Sequence, residues 1–152
     1  MSNVFMKAWT DMVQPMLQRP NRIQVAALCH RVVDGEKKVL LVTSRGTGRW
    51  ILPKGWPMDG MTASGAAMQE AWEEAGVKEG HVNPQALGSF DFEKELDTGG
   101  TVICTAEVFG VEVEKLTDTF PEADERTRKW VTPEEAANMV SEPGLQEILR
   151  TL

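Results

Sequence analysis

No stretch of this 152-residue chain approaches the roughly 20 unbroken apolar residues of a membrane-spanning helix, and residues 1–18 scatter Lys7, Asp11 and Gln14 among apolar neighbours. A soluble, unprocessed, cytoplasmic protein is expected. Cysteine is scarce: Cys29 and Cys104 stand far apart in apolar runs, outside any C-x-x-C pair or Cys/His cluster, which excludes a zinc-finger type of site. Buried free thiols are expected rather than a disulfide. The two histidines, His30 in a strand-like run and His81 in a presumed loop, lack ligand-spaced partners and read as structural or solvated. Positive charge is in the minority, with 16 Lys and Arg against 23 Asp and Glu, a net charge of −7 and a pI near 4.9. Such a surface repels a nucleic acid duplex and an anionic membrane, so a polyanionic substrate must be met by a local basic patch or a bound metal. Asp59-Gly60 lacks the alternating oxygen ligands that would begin a calcium loop. Repeats and low-complexity tracts are absent as well.

What is present fits one globular domain, at 41% hydrophobic and 26% charged residues. Two prolines between Gln14 and Asn21 separate an N-terminal helix or extension, residues 1–21, from a body over residues 22–152. The β-branched run Ile23 to Val33, the Asp34-Gly35 turn signal and Lys38 to Ser44 predict a hairpin. Arg45 to Gly48 reads as a loop and Trp50 to Leu52 as a short strand. Pro53 to Gly60 is too rich in proline and glycine for a regular element. A helix is predicted over 62–75, with Thr62 as its cap and Gly76 as its left-handed stop. Further strands are expected near 86–92, 101–113 and 127–131, then helices over 133–140 and 144–152. This order reads as α+β, one sheet packed by helices. Trp72 and Trp130 read as core, whereas Trp50 and Trp56 flank the proline-glycine loop, where either is a candidate to stack on a base.

At about 100° per residue, Glu70, Glu73 and Glu74 share one third of the central helix, opposite Ser64, Ala67, Met68, Ala71, Trp72 and Ala75. Like charges at these spacings repel, and a hard cation such as Mg²⁺ or Mn²⁺ would offset that repulsion. A solvated acidic face is the bland alternative. The loop Pro53-Lys54-Gly55-Trp56-Pro57 just upstream favours the metal, because its backbone can approach an ion or a phosphate.

From Gly55 to Val77 the residues resemble the Nudix box, G-x5-E-x7-R-E-U-x-E-E-x-G-U, where U is a bulky apolar residue. Gly55, Glu70, Glu73, Glu74, Gly76 and Val77 match it. Met61 stands at its first glutamate, Gln69 at its arginine and Ala71 at an apolar position. In the family that arginine helps orient the glutamates. The likeness runs from Arg22 to Val140 through Ala26-Ala27-Leu28-Cys29, Val39-Leu40-Leu41-Val42, Arg49-Trp50-Ile51-Leu52-Pro53 and Arg128 to Ala136, and is strongest to the branch acting on diphosphoinositol polyphosphates and diadenosine polyphosphates. It implies an α/β/α sandwich with a mixed sheet and a catalytic loop-helix at about 55–77, and Mg²⁺-dependent pyrophosphohydrolysis of a phosphorylated small molecule.

By the same resemblance Glu70, Glu74 and the Gly55 carbonyl ligate the metal, and Glu73 is the general base. Arg22, Ser44, Arg45 and Arg126 match phosphate contacts, with Lys54 and Arg49 added as local candidates. Glu93, Glu95 and Glu122 are candidates for an extra ligand or an alternative base. Gln24, Glu142 and the acidic stretch Asp91 to Asp97 oppose a highly phosphorylated inositol and favour a nucleotide-type polyphosphate. The competing expectation is a Nudix-fold module that binds a phosphorylated ligand without hydrolysis, suggested by Met61 and Gln69.

Overall fold

The computed structural model describes residues 22–152; the helix expected within residues 1–21 lies outside the described residues. Strand β1 (Ile23–Val33) and strand β2 (Glu36–Thr43) form the hairpin predicted from sequence. Asp34 and Gly35 turn it with φ of 52° and 80°, the two positive values that a tight two-residue turn requires.

Past the His30–Val39 pair the two strands part. The gap is filled by β3 (Trp50–Ile51), which pairs with Thr43 and Val42 of β2, and by β4 (Lys54–Gly55), which pairs with Val25 and Ala26 of β1. Pro53 between them has no amide to donate, and its carbonyl accepts the Ala27 amide at 2.9 Å. The proline-glycine stretch is therefore stitched into the sheet at Lys54–Gly55, where composition predicted no regular element.

Helix α1 (Ala63–Ala75) begins where Thr62 accepts the Gly65 amide and ends at Gly76, whose φ of 73° is left-handed. Strand β5 (Val77–Val82) follows at once. Sequence reading missed it, since VKEGHV is mostly polar, and His81 consequently lies in this strand beside Glu114 rather than in a loop. Then come β6 (Gly88–Glu95), β7 (Thr101–Leu116), β8 (Arg128–Val131), α2 (Pro133–Met139) and α3 (Pro143–Arg150). Strand β7 runs parallel to β1 and shares its other edge between β6 and β5, while β8 borders β2. The result is one mixed eight-stranded sheet.

Strand alternation divides the core in two. Val25, Ala27, Cys29, Leu40, Val42, Phe109 and Val111 pack under Ala66, Ala67, Ala71 and Ala75 of α1. Ala26, Leu28, Val39, Leu41, Ala106 and Val108 meet Ala136, Ala137, Leu145 and Leu149 of the two C-terminal helices. This is the α/β/α sandwich expected from sequence. Both cysteines are buried and unbonded, and burial pushes the Cys29 thiol up to about 12. Trp72 and Trp130 are half-buried, the latter packed against the α1-side core. The alanine face of α1 lets the helix sit close on the sheet, and this closeness sets the chemistry of its glutamates.

Candidate active site

Glu70 and Glu74, one turn apart on α1, are only 8% and 6% exposed. They do not form an outward acidic face with Glu73. The helix turns this pair inward toward β4, and Glu73 stays half-buried. A methyl group on Gly55 would lie 2.3–2.8 Å from the Glu70 carboxylate, so glycine is what lets backbone and acid meet. The Lys54 amide donates to Glu74 Oε1 at 3.3 Å. Burial and a hydrogen bond to Glu70 raise the Glu74 carboxyl to about 8, and burial raises Glu70 as well. Two carboxylates so placed share a proton or share a cation.

The donor set fits a hard divalent ion: two carboxylates beside the Gly55 backbone, the kind of site that binds such an ion together with water and phosphate. Among the described residues no three His, Cys, Asp or Glu side chains form a ready-made cage, so the three-glutamate cluster read from the helix wheel is here a pair.

That pair has a cationic neighbour. Arg126, in the loop before β8, has a side chain only 6% exposed; its NH2 lies 3.5 Å from Glu74 and 2.8 Å from Glu122, and its Nε donates to Glu122 at 3.0 Å. Its NH1 donates to the Thr43 carbonyl at 2.9 Å. The guanidinium of Arg126, the residue expected to contact substrate phosphate, is engaged by two acids and a carbonyl. Arg45 also approaches Glu122, at 3.8 Å, and Glu125, at 3.6 Å. Glu122 is thus brought to the site. Glu93 and Glu95 are exposed on β6.

The other expected phosphate contacts divide. Ser44 bonds Thr47 at 2.6 Å and accepts the Arg49 amide at 3.0 Å, so its hydroxyl serves the turn that carries Arg49. Lys54 sits with its ammonium 4.7 Å from the Phe92 ring. Burial lowers its pKa, the acids Glu74 and Glu142 oppose that, and the nearby cations Lys94 and Arg49 reinforce it. Arg22, Lys94 and Lys54 all act on Cys104. Lys54, within electrostatic reach of Glu74, thus has Lys94 and Arg49 around it, and Arg22 adjoins the same group through Cys104. Sequence reading missed Lys94 because net charge marked 91–97 as acidic. Alternation along β6 was the available signal, since Phe92 and Lys94 are half-buried while Glu93 and Glu95 point outward.

The raised Glu74 carboxyl carries a pH signature. Its ordinary value is 4.5 and its folded value about 8, so between these the folded, metal-free protein holds a proton that the unfolded chain releases. The stabilisation is complete below pH 4.5 and is lost as pH rises through about 8. Melting in the presence of a chelator is expected to occur at a lower temperature at pH 8.5 than at pH 6.5, with a smaller difference in Glu74→Gln. An identical pH dependence in that variant would remove Glu74 as the cause.

The family profile described as NUDIX domain matches residues 22–152. Nudix hydrolase 16, mitochondrial, of Arabidopsis thaliana is 29% identical over 157 residues, 93% of this chain and 85% of that protein. Nudix hydrolase 13, mitochondrial, of the same plant is 34% identical over 133 residues, 79% of this chain and 64% of that protein, so the chain spans less than two thirds of this relative. Among solved structures, the C. elegans Ap4A hydrolase superposes with a TM-score of 0.63 at 18% identity, covering 84% of this chain and 92% of that one. At that identity the likeness speaks for the fold.

Proposed function

Because this chain belongs to the Nudix hydrolase family, we propose that it is a divalent-metal-dependent pyrophosphohydrolase that opens the phosphoanhydride of a nucleotide-type polyphosphate. The observation that carries this reading is the buried Glu70/Glu74 pair against Gly55. In this proposal the pair and the Gly55 carbonyl hold Mg²⁺ or Mn²⁺, which when bound offsets phosphate charge and lowers the pKa of a water. Glu73 accepts the proton of the attacking water, whose oxygen bonds to phosphorus while the bridging P–O bond breaks and the second phosphate leaves. Lys54, Arg49 and Lys94 bind the phosphates and fix the line of attack. Arg22 extends that basic rim.

The nucleotide reading is favoured over a diphosphoinositol by Glu142, whose charge acts on Lys54 at the rim. It also agrees with the Ap4A named for the C. elegans neighbour. Met61 and Gln69, which suggested a binding module without hydrolysis, leave the pair in place: Met61 is 47% exposed, and Arg126 supplies a cation to Glu74.

The purified protein is expected to release a nucleotide from diadenosine polyphosphates or nucleoside diphosphate sugars with Mg²⁺ or Mn²⁺. Glu73→Gln should lower kcat about 100-fold or more, as loss of a general base does, without changing the melting temperature. Product formation that is independent of metal would reject the mechanism, and undiminished turnover in Glu73→Gln would reassign the base to another acid, Glu122 foremost.

A further inference from the structure

We propose that Trp56 is the nucleobase platform of this site, an inference that rests on the hydrolase reading above and names how its substrate class is selected. Trp56 directly follows Gly55, the residue whose Cα lies against the Glu70 carboxylate. Trp56 is 40% exposed, one of the large apolar residues left open among the described residues. Exposure alone would say little, since isolated surface aromatics are common. Two further observations give it direction.

First, the ring is paired with a cation on another element, Lys94 of β6, whose ammonium lies 5.8 Å from the ring centroid. The neighbouring Lys54 stands in the same way over Phe92, so the segment Lys54 to Trp56 and β6 meet through two cation–aromatic pairs of opposite sense. Secondly, Lys94 has cationic company in a chain of net charge −7: it acts with Arg49 on Lys54, and with Arg22 and Lys54 on Cys104. A flat π-surface beside a cationic rim, one residue beyond the glycine that meets the Glu70 carboxylate, suits a ligand with a planar end and an anionic end. A nucleoside polyphosphate is that ligand. Its base stacks on the indole and its phosphates draw Lys94 away from the ring, because an anionic oxygen is a stronger partner for an ammonium than an exposed ring face. Base stacking on an aromatic is tolerant of base identity, so the platform selects nucleotides as a class, purine and pyrimidine alike.

The test compares wild type, Trp56→Ala and Trp56→Phe on diadenosine tetraphosphate and on 5-phosphoribosyl diphosphate, which has a phosphoanhydride and no base. Trp56→Ala should raise KM for the dinucleotide about tenfold or more with kcat within about twofold, Trp56→Phe should recover most of that loss, and the base-free compound should be indifferent. An equal KM rise on both compounds, or none on the dinucleotide, overturns the platform. ADP binding, measured by calorimetry on the same proteins with Mg²⁺, separates this inference from the hydrolase reading. If neither compound is cut but ADP affinity falls about tenfold in Trp56→Ala, the platform stands and hydrolysis fails; if the dinucleotide is cut and ADP affinity is unchanged, the platform fails and hydrolysis stands.

Discussion

A Gly55→Ala variant is expected to lose about 100-fold or more in turnover while its melting temperature moves by only a few degrees. The added methyl would enter the space of the Glu70 carboxylate, 2.3 Å from Oε1 and 2.8 Å from Oε2. Backbone strain is not the cause, because Gly55 is absent from the residues with positive φ and its place in β4 suits any residue. What yields is the far end of the Glu70 side chain, which can swing by rotation about its own bonds. The fold survives and the acid pair is parted. Displacements near 1 Å in a catalytic constellation cost on the order of 100-fold, and a displaced metal ligand should cost at least that. Circular dichroism melts together with turnover on a dinucleoside polyphosphate decide the matter. Full activity in Gly55→Ala would mean that the Glu70–Gly55 contact has no part in catalysis.

Arg126→Met should act in the opposite order, with stability failing first. The guanidinium is 6% exposed and holds Glu122, Glu74 and the Thr43 carbonyl together. Removing one partner from a buried ionic network leaves the other charges uncompensated, at about 3–5 kcal/mol. For a domain of this length that corresponds to a fall in Tm of about 10 °C, and the Glu74 carboxyl, already raised, would take up a proton more readily. Differential scanning calorimetry with and without Mg²⁺ is the direct measurement. If Arg126 were a phosphate contact, the variant would keep its Tm and show only a raised KM, and that result would restore the role expected from sequence.

The contrast between these two variants shows which parts of the molecule were legible in its sequence. The β1–β2 hairpin was readable because Asp34-Gly35 is a local signal flanked by apolar runs. Helix α1 was readable from Thr62 and Gly76, each of which acts on neighbours within one turn. Strand β5 was not, because its pairing with β7 and not its own composition makes it a strand. The meeting of Glu70 and Glu74 with Gly55 was given by the family resemblance, but their burial was not. Periodicity assigns charged residues to the solvent side, and here the site holds two of them inside, with Gly55 and Arg126 making that tolerable. The tie from Arg126 to Thr43 offered no local clue, since that partner lies 83 positions earlier in the chain.

That separation has a consequence for the order in which the molecule comes into being. The ribosome delivers β1, the glycine turn and the whole of α1 well before it delivers β7, which closes the free edge of β1 along eight paired positions, and Arg126, which reaches back to Thr43 and Glu74. A nascent chain stalled near residue 100 holds every match to the family box and yet has an open strand edge and a Glu74 without its guanidinium. The acid pair therefore gains its guanidinium and the sheet its closing strand only when residues 101–126 have emerged, and until then the exposed edge of β1 is a surface for chaperones to cover.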